Sequence, residues 1–128
     1  MNIVVHEDKK IFHLYNEKIS YIMAVLPSGQ MGQLYFGKRI HDREDFRYML
    51  QFAYRPAGSS YFKGQLEYSL EHIRQEYPCY GMTDYRQPAV EVLQQNGSRI
   101  SDFQYQGYEI MDGKPVLDGL PATYTEEK

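Results

Sequence analysis

The chain has 128 residues, a formal net charge of −3 at pH 7 and a single cysteine. This length fits one domain, which would bury about 65–70% of the surface of its unfolded chain. No cluster of lysine or arginine marks a basic face, so nucleic acid is excluded as an expected partner. No apolar run approaches the roughly 18 residues of a membrane helix, and the first eight residues lack the pattern of a secretion signal. We therefore expect a cytoplasmic protein with no membrane partner.

The first forty residues have the pattern of a β-meander. Residues 11–15 form a short aromatic and β-branched run, and residues 19–25 place apolar side chains at period two. Residues 16–18 can form a hairpin loop between these runs. Pro27-Ser28-Gly29 predicts a turn, because proline presets φ and glycine tolerates positive φ. A third strand is expected over residues 30–36.

The C-terminal half contains a second expected hairpin. Residues 89–95 lead into Asn96-Gly97, the dipeptide that favours a type I′ turn, and residues 98–110 would return as a long strand. Residues 41–68 are irregular, whereas residues 69–74 predict one or two helical turns. The return strand offers these core candidates: Ile100, Phe103, Tyr105 and Tyr108. The expected class is all-β, a sandwich of six or seven strands in a single domain over residues 1–128.

Residues 74–88, called the corner below, are the most unusual stretch. They contain three tyrosines, two prolines, a glycine and four charged side chains. Such a composition predicts an ordered, partly exposed turn, which usually serves an interface or a site. The side chains that we single out in the corner are Glu76, Tyr77, Tyr80, Asp84, Tyr85 and Arg86.

Glu76 and Asp84 are the candidates for a pair of catalytic carboxylates. We favour the alternative that each one caps a turn or pairs with Arg74 or Arg86, because loop carboxylates usually hold backbone amides. Cys79 has no neighbouring base and is expected to be a packed thiol, not a nucleophile. The four histidines lack the spacing of metal ligands, so we assign no catalytic residue, metal or cofactor.

The corner tyrosines leave two alternatives open. Tyr77, Tyr80 and Tyr85 can pack against a partner domain, or they can line a wet site. In the second case their rings would stack on sugars while their hydroxyl groups form hydrogen bonds.

Three segments of the sequence resemble the N-terminal domain of bacterial α-galactosidases of glycoside hydrolase family 36. The first runs from residues 19–23 to residues 34–38, and the second joins residues 75–81 to residues 84–86 and Pro88. The third runs from Asn96-Gly97 through residues 113–115 to residues 119–124. Their order and approximate spacing match the family, and together they cover nearly the whole chain.

The resemblance implies a β-supersandwich of the galactose-mutarotase-like type. A (β/α)8 barrel and a small C-terminal β-domain would follow it in a longer parent enzyme. The barrel would carry the nucleophilic and the acid/base aspartate of a retaining α-galactosidase that acts on melibiose- or raffinose-type sugars. Residues 1–128 would then be an N-terminal fragment, an incomplete sandwich without activity of its own. Its implied partners are the α-galactoside substrate of the parent, the downstream barrel and further copies of the chain, since family members form tetramers.

One position departs from the family pattern. Many relatives carry a basic-x-Asp-Arg-aromatic segment whose aspartate contacts galactose. The equivalent place falls near Gln51-Phe52, where no aspartate stands, and Asp42 and Asp45 are out of register. We therefore assign no substrate-binding residue.

Three hypotheses for function remain. The favoured one is an accessory and assembly domain of a cytoplasmic α-galactosidase. The second is a freestanding carbohydrate-binding sandwich that uses exposed tyrosines, and the third is a protein-interaction module.

Overall fold

A computed structural model of the chain describes residues 2–54, 58–113, 118–119 and 121. Its central element is an antiparallel meander of four strands in the order β1-β2-β3-β4. They are β1 (Asn2–His6), β2 (Ile11–Tyr15), β3 (Ile19–Val25) and β4 (Met31–Lys38). A 3₁₀ helix over Arg47–Met49 is the only helical element in the described ranges. The expected all-β class is confirmed.

The turns between strands form where the sequence predicts them. Asn16 Oδ1 accepts hydrogen bonds from the backbone N–H groups of Lys18 and Ile19, at 2.8 and 2.9 Å. The loop between β3 and β4 is closed by the N–H of Leu26 and the carbonyl of Gln30, 2.8 Å apart. Both loops are short enough to keep consecutive strands adjacent, and strands β2, β3 and β4 are confirmed.

The inner face of the sheet packs against the irregular segment that follows β4. Side chains alternate between the two faces of a strand, and most of the buried apolar ones belong to one face, with Phe12 on the other. Their cluster consists of Ile11, Ile22, Ala24, Leu34 and Phe46. Phe46 lies outside the sheet and covers this face. Burial of each large apolar side chain contributes about 1.5–3 kcal/mol to stability.

A second apolar cluster connects the sheet to the corner. Leu26, at the end of β3, packs with Tyr68, Leu70 and Ile73, and Leu50 touches both clusters. The Tyr68 hydroxyl also lies 2.7 Å from the hydroxyl of Ser28. The residues just before the corner are therefore fixed to the β3–β4 loop.

Strand β1 is absent from our predictions. Its Val4 pairs with His13 of β2, and Val5 pairs with Phe12. The β-branched run of residues 3–5 is typical of a strand and could have predicted β1. It makes β1, not β2, the edge of the sheet.

The predicted strands over residues 89–95 and 98–110 are wrong, since neither stretch joins a β-ladder in the described structure. A strand needs a partner for its backbone groups, and the described residues of these stretches pair with none of the four strands. Asn96-Gly97 does form a turn, closed by Gly97 N–H to Gln94 O and by Gln94 N–H to Ser98 O, both 2.9 Å. Only Gly97 has positive φ there, which indicates a three-residue loop with a bulge instead of type I′.

Two smaller expectations also fail. The core candidates Ile100, Phe103 and Tyr108 are exposed, and Tyr105 is half-buried, because residues 98–110 run along the surface. Residues 69–74 form turns with two i→i−3 hydrogen bonds instead of a regular helix. Residues 114–117, 120 and 122–124 of the third family-like segment lie outside the described residues.

Candidate functional site

The corner is attached to the open edge of strand β4. Gln75 forms an antiparallel bridge with Gly32. The Gln33 N–H donates to Arg74 O at 2.8 Å, and the Glu76 N–H donates to Met31 O at 2.9 Å. Residues 74–76 therefore cover the edge strand at its N-terminal end, and the chain leaves the sheet from there.

A tight turn reverses the chain at residues 81–84. Gly81 and Asp84 exchange both backbone hydrogen bonds, at 2.7 and 2.9 Å. Met82 and Thr83 between them have φ values of +52° and +75°. This is the type I′ pattern that we expected at Asn96-Gly97. A β-branched residue such as Thr83 rarely adopts positive φ, and its Oγ1 accepts the Leu70 N–H at 3.1 Å, which holds it in place.

Asp84 and Arg86 form the centre of the corner. The Asp84 carboxylate is only 2% exposed and accepts hydrogen bonds from Arg86 Nε and Nη2, both at 2.8 Å. Gln75 Nε2 donates to the same carboxylate at 2.8 Å, and the Arg86 N–H donates at 3.2 Å. A buried carboxylate is tolerated only when it is compensated in this way.

The same guanidinium ties the corner to the second apolar cluster. Arg86 Nη2 donates to the carbonyls of Leu70 and Ile73, at 3.0 and 3.2 Å. The hydrogen bonds to Asp84 raise the pKa of Arg86 above its ordinary value. The expectation that Asp84 pairs with an arginine and anchors the turn is confirmed, and both groups are committed to structure.

Glu76 has a different environment on the outer face of the sheet. Its Oε2 accepts a hydrogen bond from the Tyr21 hydroxyl. Its Oε1 is buried without a hydrogen-bond partner among the described residues. Burial, together with this carboxylate, raises the pKa of Tyr21 to about 12.

Glu76 and Asp84 have different hydrogen-bond partners. Glu76 bonds a tyrosine of the sheet, and Asp84 bonds Arg86 and Gln75. They do not face each other across an open cleft with room for a substrate, as a glycosidase pair would. That no corner residue is catalytic stays a prediction.

The three corner tyrosines lie at the surface. Tyr77 and Tyr85 are 59% and 60% exposed, and Tyr80 contacts Tyr85 edge-to-face with ring centroids 5.6 Å apart. Cys79 beneath them is buried, as expected, and burial raises the pKa of its thiol. The corner thus has a polar, hydrogen-bonded interior and an aromatic exterior.

Sequence reasoning missed a second polar cluster, around His13. This imidazole is fully buried, with Nδ1 2.7 Å from Asp42 and Nε2 2.9 Å from the Ser20 hydroxyl. His6 approaches the same carboxylate at 3.1 Å. The order Asp-His-Ser resembles a hydrolase triad, but Ser20 is fully buried and accepts the Ile40 N–H at 3.1 Å. The cluster fastens the segment after β4 to strands β1 to β3.

The position near Gln51-Phe52 has no carboxylate in the structure either. Gln51 lines a small cavity of about 100 Å³ between β4 and residues 72–74. Asp42 bonds the histidines, and Asp45 bonds Arg47 at 2.6 Å. Both aspartates are therefore occupied away from this position.

No group of three or more His, Cys, Asp or Glu side chains in the described ranges is placed to hold a metal ion. No helix in that part of the chain has the length and apolar character needed to cross a membrane.

Together these features define an all-β domain built on a four-stranded antiparallel sheet. Residues 29–128 match the model of the glycosyl hydrolase family 36 N-terminal domain. The chain is 38% identical over 130 residues to α-galactosidase AgaA of Geobacillus stearothermophilus, covering all of this chain and 17% of the relative. It is also 38% identical over 130 residues to the bifunctional α-galactosidase/sucrose kinase AgaSK of Mediterraneibacter gnavus, covering 14% of that protein.

A solved structure gives the same result. The α-galactosidase from Lactobacillus brevis superposes with a TM-score of 0.86 and 36% identity, over 94% of this chain and 16% of that chain. The chain belongs to the glycosyl hydrolase family 36 N-terminal domain family. It spans 14–17% of the length of the curated relatives AgaA and AgaSK.

Proposed function

We propose that this chain is the N-terminal accessory and assembly domain of an α-galactosidase. The parent would hydrolyse terminal α-D-galactosyl residues of melibiose- or raffinose-type oligosaccharides with retention of configuration. The observation that supports this is the match of the whole chain to an α-galactosidase at 38% identity, together with the match of residues 29–128 to the family's N-terminal domain. A solved relative, AgaA, was crystallised with raffinose.

The catalytic aspartates would lie in a downstream barrel. The corner is consistent with catalytic residues elsewhere, since the Asp84 carboxylate is hydrogen-bonded to Arg86 and the Glu76 carboxylate to Tyr21. Retention requires a nucleophile and an acid/base carboxylate about 5–5.5 Å apart, and neither corner carboxylate is free to serve. We expect the isolated chain to be inactive.

The corner would act as a rigid element between domains. Asp84 and Arg86 hold it from the inside, while Tyr77, Tyr80 and Tyr85 face outward. Rigid aromatic side chains bury a large area at low entropic cost, which suits a permanent contact. We propose that these tyrosines pack against the downstream domain, and that further copies of the parent assemble into a homo-oligomer, a tetramer in the family pattern. The unpaired thiol of Cys79 is compatible with a cytoplasmic location.

The test compares the isolated chain with the full polypeptide that contains it. We expect the full polypeptide to release galactose from raffinose and melibiose, with the α-anomer formed first in a proton NMR time course. The isolated chain should release none, and a β-galactoside should serve as the negative substrate control. A full polypeptide that folds but leaves both α-galactosides intact would refute the proposal.

The exposed corner tyrosines favour one second candidate, a carbohydrate-binding module. Calorimetric titration of the isolated chain with galactose and raffinose separates the two. The accessory-domain proposal expects no binding at millimolar sugar. Saturable binding that Tyr85→Ala abolishes and Tyr48→Ala leaves unchanged would favour the module, because both rings are exposed but only Tyr85 lies in the corner.

A further inference from the structure

A small cavity lies between β4, the 3₁₀ helix and the start of the corner. Its volume is about 100 Å³, which is room for a few water molecules and well below the roughly 300 Å³ at which ordinary small-molecule sites begin. Three segments line it: residues 33–34 of β4, residues 49–51 at the end of the 3₁₀ helix, and residues 72–74. The cavity can therefore hold one small polar group but cannot enclose a sugar ring.

The polar part of the lining consists of hydrogen-bond donors without a competing carboxylate. It comprises Gln33, Gln51, His72 and Arg74, and no acidic side chain stands among the described lining residues. The amide of Gln33 contacts the Tyr21 hydroxyl. No hydrogen bond or ion pair joins the side chains of the other three to a described residue. The cavity therefore offers a guanidinium, an imidazole and an amide to a ligand.

The wall that carries His72 and Arg74 is held in place by its backbone. The Gln33 N–H donates to Arg74 O at 2.8 Å, where the corner pairs with β4. Ile73, which lies between the two polar residues, is buried, and its carbonyl accepts a hydrogen bond from Arg86 Nη2 at 3.2 Å. A ligand would therefore meet donors whose backbone is already ordered, which lowers the entropic cost of binding.

The chemistry of the lining favours a tetrahedral oxyanion. A guanidinium forms paired, charge-assisted hydrogen bonds with phosphate, and the buried side chains of Leu34 and Ile73 lower the local polarity, which strengthens such bonds. The donors come from two separate walls, residue 51 on one and residues 72–74 on the other. A phosphate group presents oxygen atoms in all directions and can meet both walls, whereas a carboxylate presents two oxygens in one plane.

We propose that this cavity binds a phosphate group, with Arg74 as its counter-charge and with His72 and Gln51 as further donors. The group is either the free ion or the end of a small phosphorylated molecule, because the exposed residues Gln51 and Arg74 leave the cavity open to solvent. The inference goes beyond the proposed function and does not depend on α-galactosidase activity.

The chain has a second positive surface, which is the competing site. It is an open groove of about 630 Å³, lined by Glu17, Lys18, Lys38, Arg39, Ile40 and His41. A carboxylate belongs to this lining, and both lysines are exposed. Exposed lysines are strongly hydrated point charges on flexible stems, so they hold a phosphate less firmly than an enclosed guanidinium does. We therefore assign the phosphate to the cavity and use the groove as the control.

The experiment is a calorimetric titration of the full polypeptide that contains this chain with inorganic phosphate at pH 7 and constant ionic strength. Charge-assisted hydrogen bonds from a few donors correspond to a dissociation constant of about 1 mM. Arg74→Gln should weaken binding at least tenfold and His72→Phe at least threefold. Arg74→Lys keeps the charge and should recover part of the affinity. Lys38→Gln, in the open groove, should leave the affinity unchanged, and thermal unfolding of each variant without phosphate checks its folding.

Glucose 6-phosphate distinguishes the two sources of the phosphate group, with glucose as the control that should give no heat. Binding tighter than that of inorganic phosphate, with the same dependence on Arg74, supports a phosphorylated molecule as the ligand. Weaker binding supports the free ion.

Three results would overturn the proposal. They are no heat of binding at about 20 mM phosphate, equal affinities of wild type and a folded Arg74→Gln variant, and a loss of affinity confined to Lys38→Gln. Galactose release plays no part in the titration. An inactive polypeptide that binds phosphate through Arg74 would therefore refute the proposed function alone, and an active one that binds none would refute this inference alone.

Discussion

The strongest stability prediction concerns Arg86. Arg86→Ala removes two hydrogen bonds to the buried Asp84 carboxylate and the donors to two backbone carbonyls of the second apolar cluster. The carboxylate keeps only the amide of Gln75 and one backbone N–H. An anion that is 2% exposed would then lack its counter-charge.

The expected cost follows from this geometry. Removing one partner of a buried ion pair costs about 3–5 kcal/mol. Because the Arg86 side chain is 49% exposed and Asp84 keeps two donors, we take the lower end, about 3 kcal/mol. For a domain of this size each kcal/mol lowers Tm by roughly 4 °C, so we expect a loss of about 12 °C. Urea unfolding followed by tyrosine fluorescence gives the free energy directly.

The chain supplies a matched control in Arg47. Asp45-Phe46-Arg47 repeats the pattern of Asp84-Tyr85-Arg86, with Nε and Nη2 of Arg47 bonding the carboxylate at 3.0 and 2.6 Å. Both of its charged side chains are exposed, so water replaces the lost bonds. Arg47→Ala should change the free energy of unfolding far less than Arg86→Ala. Equal losses for the two variants would refute the argument that burial of Asp84 decides the cost.

Three further predictions concern other parts of the fold. Asp42→Asn should destabilise the chain by about 1.5 kcal/mol at pH 7, because a carboxylate bonded by two imidazoles becomes a neutral amide. Burial favours a higher pKa for Asp42, but the two imidazoles outweigh it and hold the pKa below its usual value. The stability that the ionised Asp42 adds to the folded chain is therefore complete above the unfolded pKa of about 4 and is lost as pH falls through the folded pKa. The urea midpoints of wild type and variant should accordingly converge below about pH 4. A difference between the midpoints that stays constant with pH would contradict this. Burial, the larger cause of the raised pKa of Tyr21, remains in Glu76→Gln, so this variant should lower that pKa only part of the way from about 12. The change should appear as one earlier phenolate transition at 295 nm that Tyr21→Phe removes, and an unchanged transition would contradict the assigned bond. Gly81→Ala should lower the free energy of unfolding by about 2 kcal/mol and Gly97→Ala by about 1. Both glycines have positive φ, but only the new Cβ at position 81 meets a side-chain atom, at 2.6 Å. Equal urea midpoints for the two variants would contradict a cost from this contact.

The sheet was predictable because its signals are local. Strand β3 alternates exposed or half-buried with buried residues from Ile19 to Val25, and this period is visible in the sequence. The turns around Asn16 and Gly29 have chemistry that any hairpin would need. Fold class and register follow from such short-range patterns.

Long-range polar contacts were not predictable in the same way. His13 meets Asp42 across 29 positions, and Tyr21 meets Glu76 across 55. Neither pair has a spacing that marks it in the sequence. The strand pattern over residues 98–110 fails for a related reason, because an extended segment becomes a strand only when another strand lies beside it.

The two Asp-aromatic-Arg segments show where sequence reasoning ends at the candidate site. Asp45 and Asp84 are each followed by an aromatic residue and an arginine, and each accepts hydrogen bonds from Nε and Nη2 of that arginine. Asp45 is exposed, whereas Asp84 is covered by the turn that Gly81 begins and by the second apolar cluster. Only the surrounding structure makes one pair a surface contact and the other the anchor of the corner. The composition of the corner therefore indicated that its polar groups are held in place, and the fold determined that the Asp84–Arg86 pair is the one that anchors it.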